Sequence, residues 1–361
     1  MNHTYAIIMA GGGGTRLWPI SRRKHPKHVL PLIGKRTLFQ NTLDRLAGFI
    51  SPEQIYIVTT AEQEQVLKSQ APELPAGNYL IEPAPRGTAS VVGLAATVLL
   101  KHDPDAVMLV LPSDHFIRNV DQFHSFMRVA IQVARKDYLV TLGITPTFPA
   151  TGYGYIQRGA DLPEKFDHPV YRMVQFTEKP DEAKARFMLT SGEYSWNSGM
   201  FIWRADCILD EFAHQMPDLK AALDRIGETW GNPEQGTCLE SEWLHLKSET
   251  IDYGIMEHAH NAAILPAGGL EWSDVGTWDS LFEVLLPDDV GNVVVNSVHL
   301  PFDTHNSLIY SAGKKLVVTI GVDDLILVDS GDALLVCHRG QTQEVRRVIE
   351  HLKNLNREDY L

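Results

Sequence analysis

Residues 6–32, AIIMAGGGGTRLWPISRRKHPKHVLPL, decide how the chain is read. The run TYAIIM (4–9) that leads into them is apolar on both faces and predicts a buried strand. Four glycines, Gly11, Gly12, Gly13 and Gly14, follow at once, and then Thr15 and Arg16. Glycines directly after a buried strand let the backbone turn sharply and approach a ligand with no Cβ between them. Successive N–H groups in such a turn form a concavity that binds anions. The segment also carries Arg16, Arg22, Arg23, Lys24 and Lys27, in a chain whose formal net charge is −13. That local excess of cations points to a phosphate cradle; a plain tight turn is the alternative. A P-loop would need G-x-x-x-x-G-K-[ST], and Arg16, Leu17 and Trp18 stand in the wrong places for it. A dinucleotide fingerprint would need G-x-G-x-x-G opening a helix, but Arg16 stands at its last position and Pro19 follows. What remains is a long loop shaped to wrap a triphosphate irregularly.

Outward from the loop, strand and helix patterns alternate. TLFQNTLDRLAG (37–48) predicts an amphipathic helix with Thr37 as N-cap and Gly48 near its end. Strands are expected at 54–60, 78–83, 106–114 and 138–144, and helices at 61–69, 88–100 and 121–136. Buried strands alternating with helices predict an α/β fold with a parallel, doubly wound, Rossmann-like sheet. The stretch 150–285 mixes strands, turns and helices without clear alternation. After LLPDDVGN (285–292) the pattern changes to short strands, VVVNS, NSLIYS, KLVVTIG, DLILVDS and DALLVC, divided by Gly, Asp or Asn. They predict a small sandwich or a few turns of β-helix. Residues 341–361 predict a helical tail. The expected domains are therefore 1–287 and 288–361.

Composition narrows the class. The 361 residues suffice for a large domain plus a smaller one, and 44% hydrophobic with 21% charged residues is ordinary for a globular chain. An acidic balance argues against nucleic acid or an anionic membrane as partner. Cys207, Cys238 and Cys337 lie far apart and predict reduced core residues in a cytoplasmic protein. The N-terminal apolar run is too short for a signal peptide, and no run approaches the ~20 apolar residues of a membrane helix. The fifteen histidines show no metalloprotease pattern, and His258 and His260 have no evident third ligand.

Further motifs carry chemistry. LVLPSDHF (109–116) puts Asp114 just past the C-terminal end of a central strand, the edge where open α/β sheets bind ligands. A carboxylate there facing phosphates suits Mg²⁺, which takes one or two carboxylates plus phosphate oxygens; an N-cap or turn residue is the alternative. EWSDVGTWDS (271–280) offers Asp274 as its partner, with Asp279 as competitor. FTEKP (176–180), TGYGYI (151–156), WNSGMF (196–201), IDYGIMEH (251–258) and EPAPRGTA (82–89) are turn-like or polar segments, several rich in glycine and aromatics, that serve packing equally well when taken alone. The Trp residues at 18, 196, 272 and 278 are expected to form pocket walls or core.

The segment GGGGTRLWPISRRKHPK (11–27) resembles GGxGTRLWPxSRxxxPK, the signature loop of the sugar-1-phosphate nucleotidyltransferases. Its Trp-Pro-x-Ser-Arg form is similar to that of the mannose-1-phosphate guanylyltransferases, and the other motifs extend the resemblance over nearly the whole chain. The resemblance implies transfer of GMP from GTP to mannose 1-phosphate, with Gly11–Gly14, Thr15, Arg16, Lys27 and Asp114 around the nucleotide. It implies Arg16 and Lys27 on the leaving phosphates and Lys179 on the sugar phosphate, these three being the catalytic cations. It puts Gly154, Glu178, Asn197 and Asp252 beside the sugar, Glu82, Arg86 and Thr88 by the base, and Mg²⁺ on Asp114 and Asp274. Glu82 suits a guanine edge, or alternatively a ribose hydroxyl. His28 stands where the family usually has Gln, and Gly87 where it usually has Asn. The β segment resembles the family's short left-handed β-helix, and a homodimer is expected. No isomerase activity is expected. Alternatives are the same chemistry with glucose or heptose 1-phosphate or another nucleotide, and a non-catalytic nucleotide-sugar sensor.

Overall fold

The computed structural model describes residues 2–313 and 315–361. They form two compact units, neither of which is one continuous segment. The first takes the chain up to Gly11, Leu46–Pro112 and Arg118–Leu270; the second takes Gly12–Arg45, Ser113–Ile117 and Glu271–Leu361. The strands in chain order are β1 (Thr4–Met9), β2 (Ile55–Thr60), β3 (Tyr79–Glu82), β4 (Val107–Pro112), β5 (Phe116–Ile117) and β6 (Leu139–Ile144). They continue with β7 (Tyr155–Asp161), β8 (Tyr171–Thr177), β9 (Tyr194–Arg204), β10 (Ala262–Pro266), β11 (Trp272–Ser273) and β12 (Val293–Val295). The last are β13 (Val298–His305), β14 (Leu308–Ser311), β15 (Leu316–Asp323), β16 (Leu325–Asp329) and β17 (Leu334–His338).

The first unit is built on a sheet of order β3-β2-β1-β4-β9-β6-β10-β8-β7. Its β3-β2-β1-β4 half is parallel, as the alternation predicts. The antiparallel members come from the stretch after residue 144, where the sequence shows no clear alternation and no direction was expected. β9 runs antiparallel to both β4 and β6, and β7 and β8 are antiparallel as well. WNSGMF is not a turn: it lies inside β9, where the pairing with β6 slips between Thr141 and Gly143 and Gly199 takes φ +67°. Such a bulge re-aims side chains without ending the strand. α1 (Leu38–Leu46), which lies almost wholly in the second unit, falls close to its predicted span, as do α2 (Ala61–Gln70), α3 (Thr88–Leu100) and α4 (Val120–Ala134) in the first. α3, TASVVGLAATVLL, is buried almost throughout and packs into the core with Trp203, Phe212 and Leu223. That accounts for its lack of a polar face. Asn119 caps α4, its side chain accepting from the Gln122 N–H at 3.1 Å. α5 (Glu182–Ser191), α6 (Ala205–Gln215), α7 (Pro217–Thr229) and α8 (Gln235–His245) complete this unit.

The second unit has its own core, including Leu17, Trp18, Leu32, Trp278, Leu308, Ile326 and Ile349. Thr37 caps α1 reciprocally: Gln40 N–H donates to Thr37 Oγ1 and Thr37 N–H to Gln40 Oε1. The C-terminal strands decide between sandwich and coil. β12, β14 and β16 pair in parallel, and so do β13 and β15, with Val298 beside Leu316 and Leu308 beside Ile326. Parallel neighbours joined by a short return are turns of a β-helix, since a sandwich would pair its strands mostly antiparallel. β17 closes the stack antiparallel to β16. After α9 (Leu281–Val284), the tail forms α10 (Val345–Asn354), which buries Val345 and Ile349 in this core.

The three cysteines are free thiols, each half-buried and not fully in the core as expected. Among the described residues no helix is long and apolar enough to cross a membrane.

Candidate active site

In the second unit the glycine loop folds back on its own lysine. Gly14 takes φ +55°, and a Cβ there would collide with Lys27 Cβ. Only glycine lets the loop and the Pro26–Lys27 turn approach this closely. Trp18 Nε1 donates to Tyr360 O at 2.8 Å, and Trp278 Nε1 donates to Trp18 O at 3.0 Å. Arg22 is bound at 2.6 Å by Asp332. The basic residues of the loop therefore divide: Arg22 braces the loop against the β-helix, whereas Lys27 turns inward and is buried.

Lys27 joins the two predicted metal carboxylate residues. Its Nζ lies 2.7 Å from Asp114 Oδ2 and donates a short hydrogen bond to the carbonyl of Asp274. Burial alone would raise the pKa of Asp114, but Lys27 and His115 beside it hold the carboxyl well below the usual range. His115 is itself pushed down to about 4, chiefly by burial, so at neutral pH Lys27 is the charge that keeps Asp114 ionised. Trp272 Nε1 lies 3.2 Å from His115 Nδ1, which accepts the bond and leaves the ring proton on Nε2. Asp274 Oδ1 accepts from the Gly276 N–H at 3.0 Å. Asp279, its competitor in the same motif, is taken up elsewhere: its carboxylate accepts from Thr342 and faces Arg339. Two carboxylate residues beside a lysine make an oxygen donor set of the hard kind that binds a divalent cation together with phosphate.

In the first unit the residues Gly154, Glu178, Asn197 and Asp252 converge. Asn197 N–H donates to Gly154 O at 2.8 Å, and Asn197 Nδ2 to Asp252 Oδ1 at 2.8 Å. A Cβ on Gly154 would strike Glu178 Oε2. Lys179 Nζ pairs with Glu178 Oε1 at 2.5 Å and remains more than half exposed. Burial first, and then the Glu178 charge, raises Asp252 to about 6. Phe148 and Tyr153 pack edge-on against Trp196 beside this cluster.

Glu82 ends β3 beside Gly11. It is buried, its Oε2 has no hydrogen-bond partner, and burial lifts its pKa to about 7 against a backbone bond from Arg86. An unpartnered buried carboxylate oxygen is costly unless something else meets it. Thr88 Oγ1 accepts from Ile251 N–H at 2.9 Å. The Arg86 guanidinium donates to the carbonyls of Trp243 and Leu244, closing the end of α8. Of the predicted residues, Gly12, Gly13, Thr15 and Arg16 lie along the loop and its first helical turn. Sequence reasoning missed His115 and Glu257, although each stands inside a motif already singled out; Trp272 was expected only as pocket wall or core. Outside these motifs, His3, Asp103 and Asp105 bring ligand atoms together, but Asp103 is already bonded by His3 and Tyr5.

The model of the nucleotidyl transferase family matches residues 5–289. The chain belongs to this family. A second model, of the mannose-phosphate isomerase/GMP-like β-helix domain, matches residues 297–352 of this nucleotidyltransferase. The mannose-1-phosphate guanylyltransferase of Klebsiella pneumoniae is 39% identical to it over 98% of this chain and 75% of that protein. That of Escherichia coli (strain K12) is 37% identical over 99% and 75%. The crystal structure of mannose-1-phosphate geranyltransferase from Thermus thermophilus superposes with a TM-score of 0.88 at 34% identity, covering 97% of this chain and 99% of that one.

Proposed function

We propose that this nucleotidyltransferase transfers GMP from GTP to mannose 1-phosphate, giving GDP-mannose and pyrophosphate. The observation that carries the reading is Lys27, buried on the glycine loop and bonded to both Asp114 and Asp274. Relatives named for this reaction, matching along nearly the whole chain, support it.

An oxygen of the sugar phosphate attacks the α-phosphorus of GTP. The bond from the α-phosphorus to the bridging oxygen breaks, and its electron pair leaves with pyrophosphate. The nucleophile is already an anion, so no proton has to be removed and no covalent enzyme intermediate is required. Catalysis is then positioning plus neutralisation of charge. Arg16 and Lys27 offset the charge of the leaving phosphates. Lys179 holds the sugar phosphate, for which a compact ammonium is suited. Gly154, Glu178, Asn197 and Asp252 bind sugar hydroxyls, and Glu82 accepts from the guanine edge. Asp114 and Asp274 would hold Mg²⁺, which supplies further positive charge to the phosphates.

The protein acts as a homodimer through the β13–β15 face. Val298, Leu300 and Phe302 stand beside Leu316, Val318 and Ile320, and all six are exposed. Leu334 and Val336 of β17 are exposed as well, and Leu334 lines a groove with Leu316 and Val318. A stable interface needs about 800 Å² per partner, and these side chains are the apolar surface that would supply it. Free thiols suit a cytoplasmic location.

The test is pyrophosphate release with mannose 1-phosphate and Mg²⁺, run in parallel with GTP, ATP, UTP and dTTP. Release with GTP alone is expected. Release with another nucleotide overturns the base assignment. Release only after exchange of the sugar phosphate overturns the mannose assignment. Binding of GDP-mannose with no turnover on any pair would make the chain a sensor.

A further inference from the structure

We infer that Glu257 is a positioning residue for Lys179, held in place by the π-helical turn Asp252–Met256. The inference rests on the reading of Lys179 as the sugar-phosphate ligand. Lys179 follows the end of β8 with φ +44°, a left-handed conformation that a lysine does not adopt without support. The support is next to it in the chain: the Glu178 N–H donates to Glu257 Oε1 at 3.1 Å. A carboxylate bonded to a backbone N–H is one of the stronger neutral-to-charged bonds, and here it fixes the peptide just before Lys179.

Glu257 can do this only because of an irregularity in the chain. Asp252 and Glu257 are five residues apart, and both serve one cluster: Asp252 receives Asn197 Nδ2, and Glu257 receives Glu178 N–H. In an α-helix, residues five apart are separated by about 140° around the axis, and position 256 would be the one stacked near 252. Met256 would then face the cluster and Glu257 would turn away. The backbone instead bonds Glu257 N–H to Asp252 O at 3.0 Å, an i to i+5 closure that stacks these two residues. The π-turn thus lets a single segment supply both a carboxylate to the sugar cluster and an anchor to the lysine turn. Met256 is fully buried, as this register requires.

The test compares Glu257→Gln, which keeps the acceptor at the same reach, with Glu257→Asp, which withdraws it by one methylene. Each is made in the native protein and in a Lys179→Ala background. Glu257→Asp should raise KM for mannose 1-phosphate about tenfold, the scale of one charge-assisted bond. KM for GTP and Tm should hardly move. Glu257→Gln should restore most of the loss. In the Lys179→Ala background, Glu257→Asp should add almost nothing, because both changes act on the same contact. Equal effects in the two backgrounds, or parallel rises in both KM values, overturn the proposal and leave Lys179 untouched. If Lys179→Ala itself leaves KM for the sugar phosphate unchanged, the reading of Lys179 fails first, and the role of Glu257 with it.

Discussion

The ammonium of Lys27 lies 2.7 Å from the Asp114 carboxylate and also donates to the carbonyl of Asp274, so one buried cation ties the glycine loop to both acidic motifs. Such a group acts by preorganised charge. Removing one such group costs about 10²–10³ in turnover. Asp114→Asn keeps the shape and removes the charge. Its kcat is expected to fall at least a hundredfold, while circular dichroism stays native. The pH dependence of stability separates this from misfolding. The folded pKa of Asp114 lies below the ordinary carboxylate value, so its ionised form contributes stability above about pH 4. That contribution is lost as the pH falls through the lower folded value. The Tm gap between native protein and Asp114→Asn should therefore be constant from pH 5 to 8 and shrink in stronger acid. Near-normal turnover would remove Asp114 from the site.

Glu82 has the opposite sign. Its pKa rises from 4.5 to about 7 because burial disfavours the ionised form. Stability linked to it is complete below pH 4.5 and is lost as the pH rises through about 7. Glu82→Gln should therefore gain Tm relative to the native protein between pH 5 and 8. The ionised carboxylate is also the form that accepts from a guanine edge. KM for GTP in the native protein should then fall from pH 6 to 8, and Glu82→Gln should lose this slope. A Tm difference that does not change with pH would mean that Glu82 does not titrate in this range.

The parallel half of the sheet was legible because β1, β2 and β4 are short apolar runs that can only be buried on both faces. The N-cap at Thr37 and the tight glycine turn at Gly14 were equally local. The direction of β9 was not legible, because Tyr194–Arg204 carries the same apolar residues whichever way it runs. Its place between β4 and β6 is a tertiary choice. The discontinuous units were hidden for a related reason: Ser113–Ile117 groups with residues more than 150 positions later, which no window of sequence records. The set of Gly154, Glu178, Asn197 and Asp252 was reached through family resemblance, and the structure brings its members together. Glu257 escaped because a π-turn breaks the 3.6 period on which helix faces are read.

Gly87 offers a test of the base-side segment. It takes φ +82° before α3, and a Cβ there would run into the carbonyl of Glu249. Ala89 N–H donates to that same carbonyl, and Glu249 N–H donates to Arg86 O. The strap around Glu249 thus lies on the backbone of the segment, and only glycine leaves it room. Gly87→Ala should cost about 1–3 kcal/mol through strain alone. That predicts a drop of several degrees in Tm, with a raised KM for GTP and little change for the sugar phosphate. Gly87→Asn should be no better tolerated. A native Tm for either variant would mean that the strap moves aside freely.

The β13–β15 face predicts the oligomeric state. Residues 298, 300 and 302 point the same way along one strand, and 316, 318 and 320 along its neighbour, so the exposed apolar atoms form one continuous strip. A two-stranded face of this kind can pack on its own copy about a two-fold axis, since each strand meets an equivalent strand. Light scattering is expected to give twice the chain mass. Leu316→Asp with Ile320→Asp places charge where the two copies meet and should give the monomer. Both side chains already face water in the single chain, so the thermal unfolding of the monomer should be close to that of the native protein diluted below its dissociation constant. A native protein that is monomeric at tens of micromolar would refute the dimer. A charged double variant that stays dimeric would move the interface to another face.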